Sequence, residues 1–399
     1  MKVAINGTGI AGPALAYWLL QGGHEVILTE RAPTLRRGGY VVDFWGLGFD
    51  VSERMGLVPR LMRQGYQVQE VRFVDDAGHK RGGFGVDIFR RLTGGRFTSL
   101  RRSDLASTIY SAIEGRVEMM FDNSIRNIEQ NADGARVFFE HGEASDVDLV
   151  IGADGLHSRV RALAFGQDDV FEVPLGYHVA AFEVEGYRPR DELTYVSYGL
   201  PGRQMSRLSM RGDSTLFFII IRDELLGETT PVDIDSQKRA LRRIFAPGGW
   251  ECARILDAMD DIGEIYFDRV SQIRMRTWTH QRTALVGDAG ACVSLLAGEG
   301  AGLAITEAYV LAGELNRSGG DYRAAYARYE QLLKPFVAKK QVTAKKFASS
   351  FAPRTRFGIG FRNFITNLLR IRVVADLFVG RDLRDDLALP EYSRLHPTT

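Results

Sequence analysis

The stretch Lys2-Val3-Ala4-Ile5-Asn6-Gly7-Thr8-Gly9-Ile10-Ala11-Gly12-Pro13 decides how this chain folds. Val3 to Ile5 is apolar and reads as a buried strand, Gly7, Gly9 and Gly12 carry the spacing G-x-G-x-x-G, and Pro13 to Gln21 has the pattern of an amphipathic helix. Each glycine has a mechanical reason. Gly7 permits the tight turn, Gly9 lets backbone N–H groups approach a pyrophosphate, and Gly12 lets the helix pack closely on the strand. Ile10 and Ala11 complete the turn into the helix, whose N-terminus supplies a partial positive charge for phosphates. Pro13 suits a first helical turn, and Gly22-Gly23 suits its end. A second strand, Val26 to Thr29, finishes at Glu30, about 20 residues beyond the glycines, where an acid accepts hydrogen bonds from an adenosine ribose. Arg31 is taken as a neighbour of that acid; an arginine reading a 2′-phosphate is the alternative. On this stretch alone NAD, FAD and a glycine turn with no ligand all remain open.

Composition narrows the class. A chain of 399 residues is long for one core, so two intimately packed domains are expected. Hydrophobic residues at 45% and charged residues at 25% are ordinary globular values, and a net charge of +1 gives no electrostatic case for nucleic acid. The pairs Arg90-Arg91, Arg101-Arg102 and Arg242-Arg243 are short and scattered, as on solvated faces. Two cysteines, Cys252 and Cys292, form neither a disulfide framework nor a metal-ligand spacing, which fits a reducing cytoplasm. The first strand begins at about residue 2, so no signal peptide is expected, and apolar runs such as Leu216 to Ile221 are too short to span a bilayer.

Along the chain, Tyr40 to Asp43 reads as a short strand and Leu47 to Met55 as a helix ending at Gly56. Gln67 to Asp75 alternates as a strand and turns at Asp76-Ala77-Gly78, an edge hairpin by its turn chemistry. A helix opens at Arg102-Ser103-Asp104-Leu105, with Ser103 as its cap, and runs to Ile113. Strands follow at Val117 to Asn123, Arg136 to His141 and Asp148 to Ala153. From about Val170 to Met275 the strands His178 to Val184, Leu193 to Tyr198, Met205 to Met210 and Leu216 to Arg222 have few helices between them, which suggests a largely antiparallel sheet carrying a substrate platform. Arg282 to Gly287 then reads as a buried strand returning to the first domain, and helices dominate from Leu303 onwards. Phe361 to Phe378 is apolar and dotted with arginine, as in a packed amphipathic helix or one lying on a membrane surface.

Two further signatures follow in order: Gly152-Ala153-Asp154-Gly155 after the mid-chain strand, and Gly287-Asp288-Ala289 leading to Gly298-Glu299-Gly300. With all three, the chain resembles the single-component FAD-dependent monooxygenases of the para-hydroxybenzoate hydroxylase type, from Met1 to about Ala312. The resemblance implies an α/β fold: a Rossmann-like FAD-binding domain (residues 1–66, 98–169 and 276–330), an inserted, largely antiparallel substrate-binding sheet (67–97 and 170–275) and a C-terminal helical region (331–399). It places Asp154 near the flavin pyrophosphate and the path of the nicotinamide cofactor, and Asp288 on the ribityl hydroxyls. A buried aspartate after a strand needs a hydrogen-bonding partner, and a polyol supplies one. By the same resemblance Gly298, Gly300, Ala301 and Gly302 bring backbone N–H groups and a helix N-terminus to the flavin pyrimidine edge, where they stabilise the charge of reduced flavin. Arg102 matches an arginine that contacts the cofactor from a helix start. The segment from Arg36 to Asp43 is similar to that of tetracycline-modifying members, so Arg36, with Arg37 as substitute, is expected to face the nicotinamide nucleotide and Asp43 to touch FAD. The chain departs from the pattern at Gly290 and Ala291, where many members have Ala-His, at Leu295, usually proline, and at Glu299, usually glutamine.

The implied activity is that NADH or NADPH reduces FAD, dioxygen forms a flavin C4a-hydroperoxide, and an oxygen atom passes to an electron-rich aromatic or polyketide-like small molecule. The cofactor carries this chemistry while the protein orients, excludes water and tunes charge. Tyr177, His178, Tyr195, Tyr198, Arg203 and Met205 are the candidate substrate residues. A flavin-dependent halogenase shares much of this fold, but Trp18, Trp45, Trp250 and Trp278 form no Trp-x-Trp-x-Ile-Pro string. A dehydrogenase or reductase on the same scaffold, and a flavin-binding module without turnover, are the other readings. No nucleic-acid partner and no stable membrane insertion are expected.

Overall fold

The computed structural model describes residues 1–35, 39–167, 170–227, 230–369 and 385–392. Arg36 and Arg37 therefore lie outside the described residues, as does the stretch from residue 370 of the expected Phe361 to Phe378 helix, of which Arg356–Leu368 is described and helical.

The opening motif folds as its pattern requires. Lys2–Asn6 is a strand with four buried residues, and the helix Ala11–Gln21 follows it after the glycine turn. Six strands form the central sheet in the order Thr279–His280, Thr283–Leu285, Leu149–Gly152, Lys2–Asn6, Glu25–Glu30, Glu118–Phe121. Every pairing is parallel except the first, at the edge. Parallel strands are buried on both faces and need apolar runs; Val3, Ala4 and Ile5, then Leu149, Val150 and Ile151, supply them. One face carries Ala11–Gln21 and the long helix Gly300–Arg317, in a core with Leu15, Leu19, Ile305 and Tyr309. The other face is covered by a three-stranded sheet, Ile125–Gln130, Ala135–Phe139 and Ser145–Val147, through Val137, Phe139 and Val147. Its first and last strands have no counterpart in the sequence reading.

The second large sheet has seven strands in the order Tyr266–Ile273, Glu172–Glu185, Ser214–Arg222, Arg203–Ser209, Thr194–Leu200, Glu70–Val74, Lys80–Gly85. All pairs are antiparallel except Thr194–Leu200 with Glu70–Val74. The hairpin expected around Asp76-Ala77-Gly78 is its edge. Alternate residues point to opposite faces. Val196, Tyr198, Met205, Phe217, Ile219 and Ile221 pack under the helices Ile234–Phe245 and Cys252–Ala258. Tyr195, Ser197, Gln204, Ser206, Phe218 and Ile220 face the other way, into a large cavity.

One local expectation is corrected. The helix Arg102–Ser111 starts one residue before the Ser103 assigned as its cap, and no side chain caps it. The strand Thr98–Arg101 runs straight into it, and the Arg102 N–H that a cap leaves orphaned is taken by the Tyr40 carbonyl at 3.0 Å.

Candidate functional site

The glycine turn has no room for side chains where the sequence has none. A Cβ at Gly7, whose φ is +107°, would lie 2.5 Å from the Ala153 carbonyl, and one at Gly12 would lie 2.0 Å from the Gly7 carbonyl. Gly9 is different: within 4 Å its Cβ would meet only the Arg102 guanidinium, at 3.5 Å. The turn thus leaves an open slot between backbone N–H groups and a cation, and among the described residues no ion pair or side-chain hydrogen bond occupies that cation. A diphosphate is the group that such a slot fits.

Glu30 stands at the end of its strand with both oxygens fixed: Thr8 N–H donates to one and Ala32 N–H to the other, each at 3.0 Å. A carboxylate oxygen has a further lone pair, so Glu30 can also accept from two hydroxyls. Ile10, Ala11 and the exposed Arg31 complete this end of the cavity wall. Gly12 stays behind the wall, where it brings helix and strand together.

Asp288 follows the strand Thr283–Leu285 and faces the same cavity from the far side. Burial raises its pKa against the opposing field of Arg102 and the neighbouring Cys292 thiol. A carboxyl so enclosed, beside a thiol whose proton goes to the Ser271 carbonyl at 3.5 Å, suits the hydroxyls of a sugar alcohol. A Cβ at Gly300 would lie 3.6 Å from its Oδ1, so the carboxyl sits across from the N-terminus of Gly300–Arg317. Gly298 turns in the left-handed region with φ +70°, and Gly298, Gly300 and Ala301 line the cavity. Glu299 pairs with Lys340 at 2.9 Å, and Lys340 with Asp385 at 2.8 Å.

One expected cofactor residue lies off the cavity, and two reach it while already bonded to protein partners. Gly302 does not line the cavity; a Cβ at Gly48 would lie 2.3 Å from the Gly302 Cα, so the pair lets Gly46–Arg54 cross the long helix closely. Asp154 does reach the cavity, but its oxygens accept from Asn6 Nδ2 at 2.8 Å, the Arg159 and Val160 N–H groups at 2.9 and 3.1 Å, and the Ser158 hydroxyl. Its evident work is to hold the start of Arg159–Phe165 against the first strand. Asp43 is walled by protein yet open to the cavity; burial raises its pKa, opposed by the Ser99 hydroxyl that donates to it.

Of the six candidate substrate residues only Tyr195 lines the cavity. Tyr198 lies on the opposite face, donating to Asp76 and accepting from Gly249 N–H at 3.1 Å. Met205 is buried among the helices on that face, and Arg203 lies over the Phe245 ring there. Tyr177 packs under the Arg222 guanidinium, and His178 pairs with Asp223 at 2.7 Å. The physical reason for the strand residues is the two-residue period: a choice by residue type alone picks whichever face carries the tyrosines. Ser197, Gln204 and Ser206, which do line the cavity, are the neighbours one position away. Tyr40, with its hydroxyl pushed up to about 12 by burial, Tyr266, Lys340 and Arg362 also line the cavity. No sequence signal marked them, because each reaches the site through tertiary packing.

The cavity runs from the glycine turn, past Asp288, to the polar face of the large sheet, and measures about 1830 Å³. Single drug-sized ligands occupy about 300–1,000 Å³, so a dinucleotide and a second molecule fit together. Acid acceptor, slot and enclosed aspartate correspond to ribose, diphosphate and ribityl chain, the order along FAD, which defines a flavin-dinucleotide enzyme. The chain belongs to the family described as FAD binding domain, whose model matches residues 1–336, and it is an FAD-dependent monooxygenase. A flavin-dependent monooxygenase of Legionella longbeachae is 34% identical over 363 residues, 88% of this chain and 90% of that one. An uncharacterised protein of Mycobacterium tuberculosis is 38% identical over 350 residues, 85% of this chain and 91% of its own. Among solved structures, the tetracycline destructase Tet(55) superposes with a TM-score of 0.83 at 31% identity, covering 98% of each chain.

Proposed function

We propose that the enzyme uses NADH or NADPH and dioxygen to hydroxylate an electron-rich aromatic or polyketide-like small molecule. The balanced reaction consumes substrate, dioxygen, NAD(P)H and a proton, and yields hydroxylated product, NAD(P)+ and water. Bound FAD supplies the redox chemistry, accepting a hydride and activating dioxygen.

The chain's own residues bind, orient and exclude water. In this reading Gly7, Gly9, Ile10, Ala11 and Arg102 hold the diphosphate, Glu30 the ribose and Asp288 the ribityl hydroxyls, while Gly298, Gly300 and Ala301 present the helix N-terminus to the ring system. Asp43 adds an acceptor at the cavity wall, Asp154 acts through the turn it braces, and Arg31 and Arg36 are assigned to the nucleotide side. The substrate lies on the sheet against Tyr195, Ser197, Gln204, Ser206 and Phe218, a face with hydrogen-bonding groups and an aromatic ring. Aromatic and apolar walls around Tyr40, Trp45, Phe97 and Tyr266 keep water from the reacting atoms.

The observation that carries the reading is the continuity of one cavity from the dinucleotide slot to this polar sheet face. The tetracycline destructase likeness supports a multi-ring polyketide as the first class to try. Free, buried Cys252 and Cys292 accord with work in a reducing cytoplasm, where NAD(P)H is at hand. The test is to mix purified holoenzyme anaerobically with NADH or NADPH and follow flavin bleaching, then admit labelled dioxygen with a panel of phenols and tetracyclines. Incorporation of one labelled oxygen atom into a panel member is expected. Flavin that neither nucleotide reduces, with or without panel members, refutes the reading.

A further inference from the structure

The cavity contains a second enclosed cation, far along the wall from the glycine turn. Arg362, on the helix Arg356–Leu368, lies over the large sheet with its guanidinium 4.0 Å from the Phe73 ring centroid. Two close approaches bring it there: a Cβ at Gly82 would meet the Asn363 backbone at 2.9 Å, and one at Gly199 would lie 3.2 Å from the guanidinium. Its acceptors are all neutral: Gln204 Oε1 at 2.7 Å, the Phe351 carbonyl at 3.1 Å, and Asn363 Oδ1 at 3.3 and 3.1 Å. Those bonds use four of its five N–H groups.

No carboxylate pairs with it among the described residues. Three other cations of the same cavity are paired, Lys340 with Glu299 and Asp385, Lys339 with Asp386, and Arg159 with Glu140, whereas Arg31 and Arg269 are exposed to water. Burial lowers the Arg362 pKa to about 10, so the group is still a cation at neutral pH. An enclosed charge without a counter-ion is costly, and such a charge is kept where a ligand completes it. Arg102 is the other enclosed guanidinium with an open side, and it stands at the diphosphate slot. Gln204 ties Arg362 to the substrate face of the sheet instead.

We propose that Arg362 is the anion-recognising side chain of the substrate subsite, so that the substrate is an organic anion, a carboxylate or an ionised enol held against the neutral face of Gln204 and Ser206. This rests on the assignment of that face to the substrate. With one N–H left over from its protein acceptors, the guanidinium gives a carboxylate or a β-diketone enolate one charge-assisted hydrogen bond together with the field of the cation, which orients the anion as well as adding affinity.

The probes are 3-hydroxy-2-naphthoate and its methyl ester, bound to FAD-loaded enzyme and read by quenching of naphthoate fluorescence. Wild type is expected to prefer the carboxylate by roughly 10- to 100-fold, Arg362→Met to bind the two within about threefold, and Arg362→Lys to keep part of the preference. Flavin content and melting temperature of each variant report folding separately. Equal binding of the two probes by wild type, binding of neither, or an undiminished preference in Arg362→Met overturns the proposal. So does a KM for NADPH that rises in Arg362→Met while the naphthoate preference stays, since the cation would then serve a nucleotide phosphate. Equilibrium binding needs no turnover, so an enzyme that fails to oxygenate still reports on Arg362.

Discussion

Glu307 sits on the long helix directly beneath the Gly287-Asp288 turn, fully buried, and accepts the Gly287 N–H at 2.6 Å. Burial is the main cause of a pKa raised from 4.5 to about 8; the Gly287 amide opposes it, and the nearby Asp288 carboxylate adds to it. The Tyr329 hydroxyl beside it donates to the Leu285 carbonyl at 3.0 Å and, more weakly, to Glu307 Oε2 at 3.5 Å, which also opposes the rise. At pH 7 the group is therefore about nine-tenths neutral, and the turn carries one anion instead of two. The sign of the pH effect follows. With the folded pKa above the unfolded one, the contribution to stability is complete below pH 4.5, declines as pH rises, and levels off above about pH 8. The slope within that window approaches about 1.4 kcal/mol per pH unit, so between pH 5 and pH 9 the loss is roughly 4 kcal/mol. Glu307→Gln keeps the acceptor for Gly287 and removes the titration. For a chain of 399 residues roughly 1–2 °C corresponds to 1 kcal/mol, so the melting temperature of the variant relative to wild type should climb by roughly 4–8 °C from pH 5 to pH 9. Thermal unfolding of both apoproteins across that range is the assay. A difference that stays constant with pH, or a variant that loses ground as pH rises, refutes the reasoning.

Gly12→Ala places a Cβ 2.0 Å from the Gly7 carbonyl; it should cost about 1–3 kcal/mol of stability and strip FAD on desalting, and a variant that stays fully yellow contradicts the turn geometry. Asp288→Ala should weaken FAD binding by roughly 10- to 100-fold in a flavin-fluorescence titration, with Asp288→Asn between it and wild type; an unchanged Kd removes the aspartate from the cofactor. Tyr198→Phe loses the bonds to Asp76 and Gly249 behind the sheet, so it should cost about 1–2 kcal/mol in denaturant unfolding while substrate-dependent NAD(P)H oxidation is unchanged. Tyr195→Phe, on the cavity face, should show the reverse, with KM altered and stability nearly kept.

The parts of this molecule legible in its sequence are those in which local chemistry and global fold make the same demand. Gly7 and Gly12 are fixed by backbone crowding within one βα unit, so their spacing announces the turn and the parallel sheet around it. Asp288 is legible for a similar reason: a carboxylate that ends a buried strand requires a partner. Gly302 looked like part of the same set because glycines that admit a ligand and glycines that admit a helix are written alike; the crossing with Gly48 lies more than 250 residues away in sequence and leaves no local trace. The cavity face of the large sheet was missed by parity. Tyr198 and Met205 are one residue from Ser197, Gln204 and Ser206, and the choice between faces depends on where the helices Ile234–Phe245 and Cys252–Ala258 dock. Arg362 shows the limit most sharply, because an arginine in an amphipathic helix is ordinarily a solvated one, and what changes its meaning is the pair of glycines, Gly82 and Gly199, that let its helix come down onto the sheet. Those two positions carry no sign of ligand chemistry, yet a side chain at Gly82 would push against the Asn363 backbone and one at Gly199 would press on the guanidinium itself.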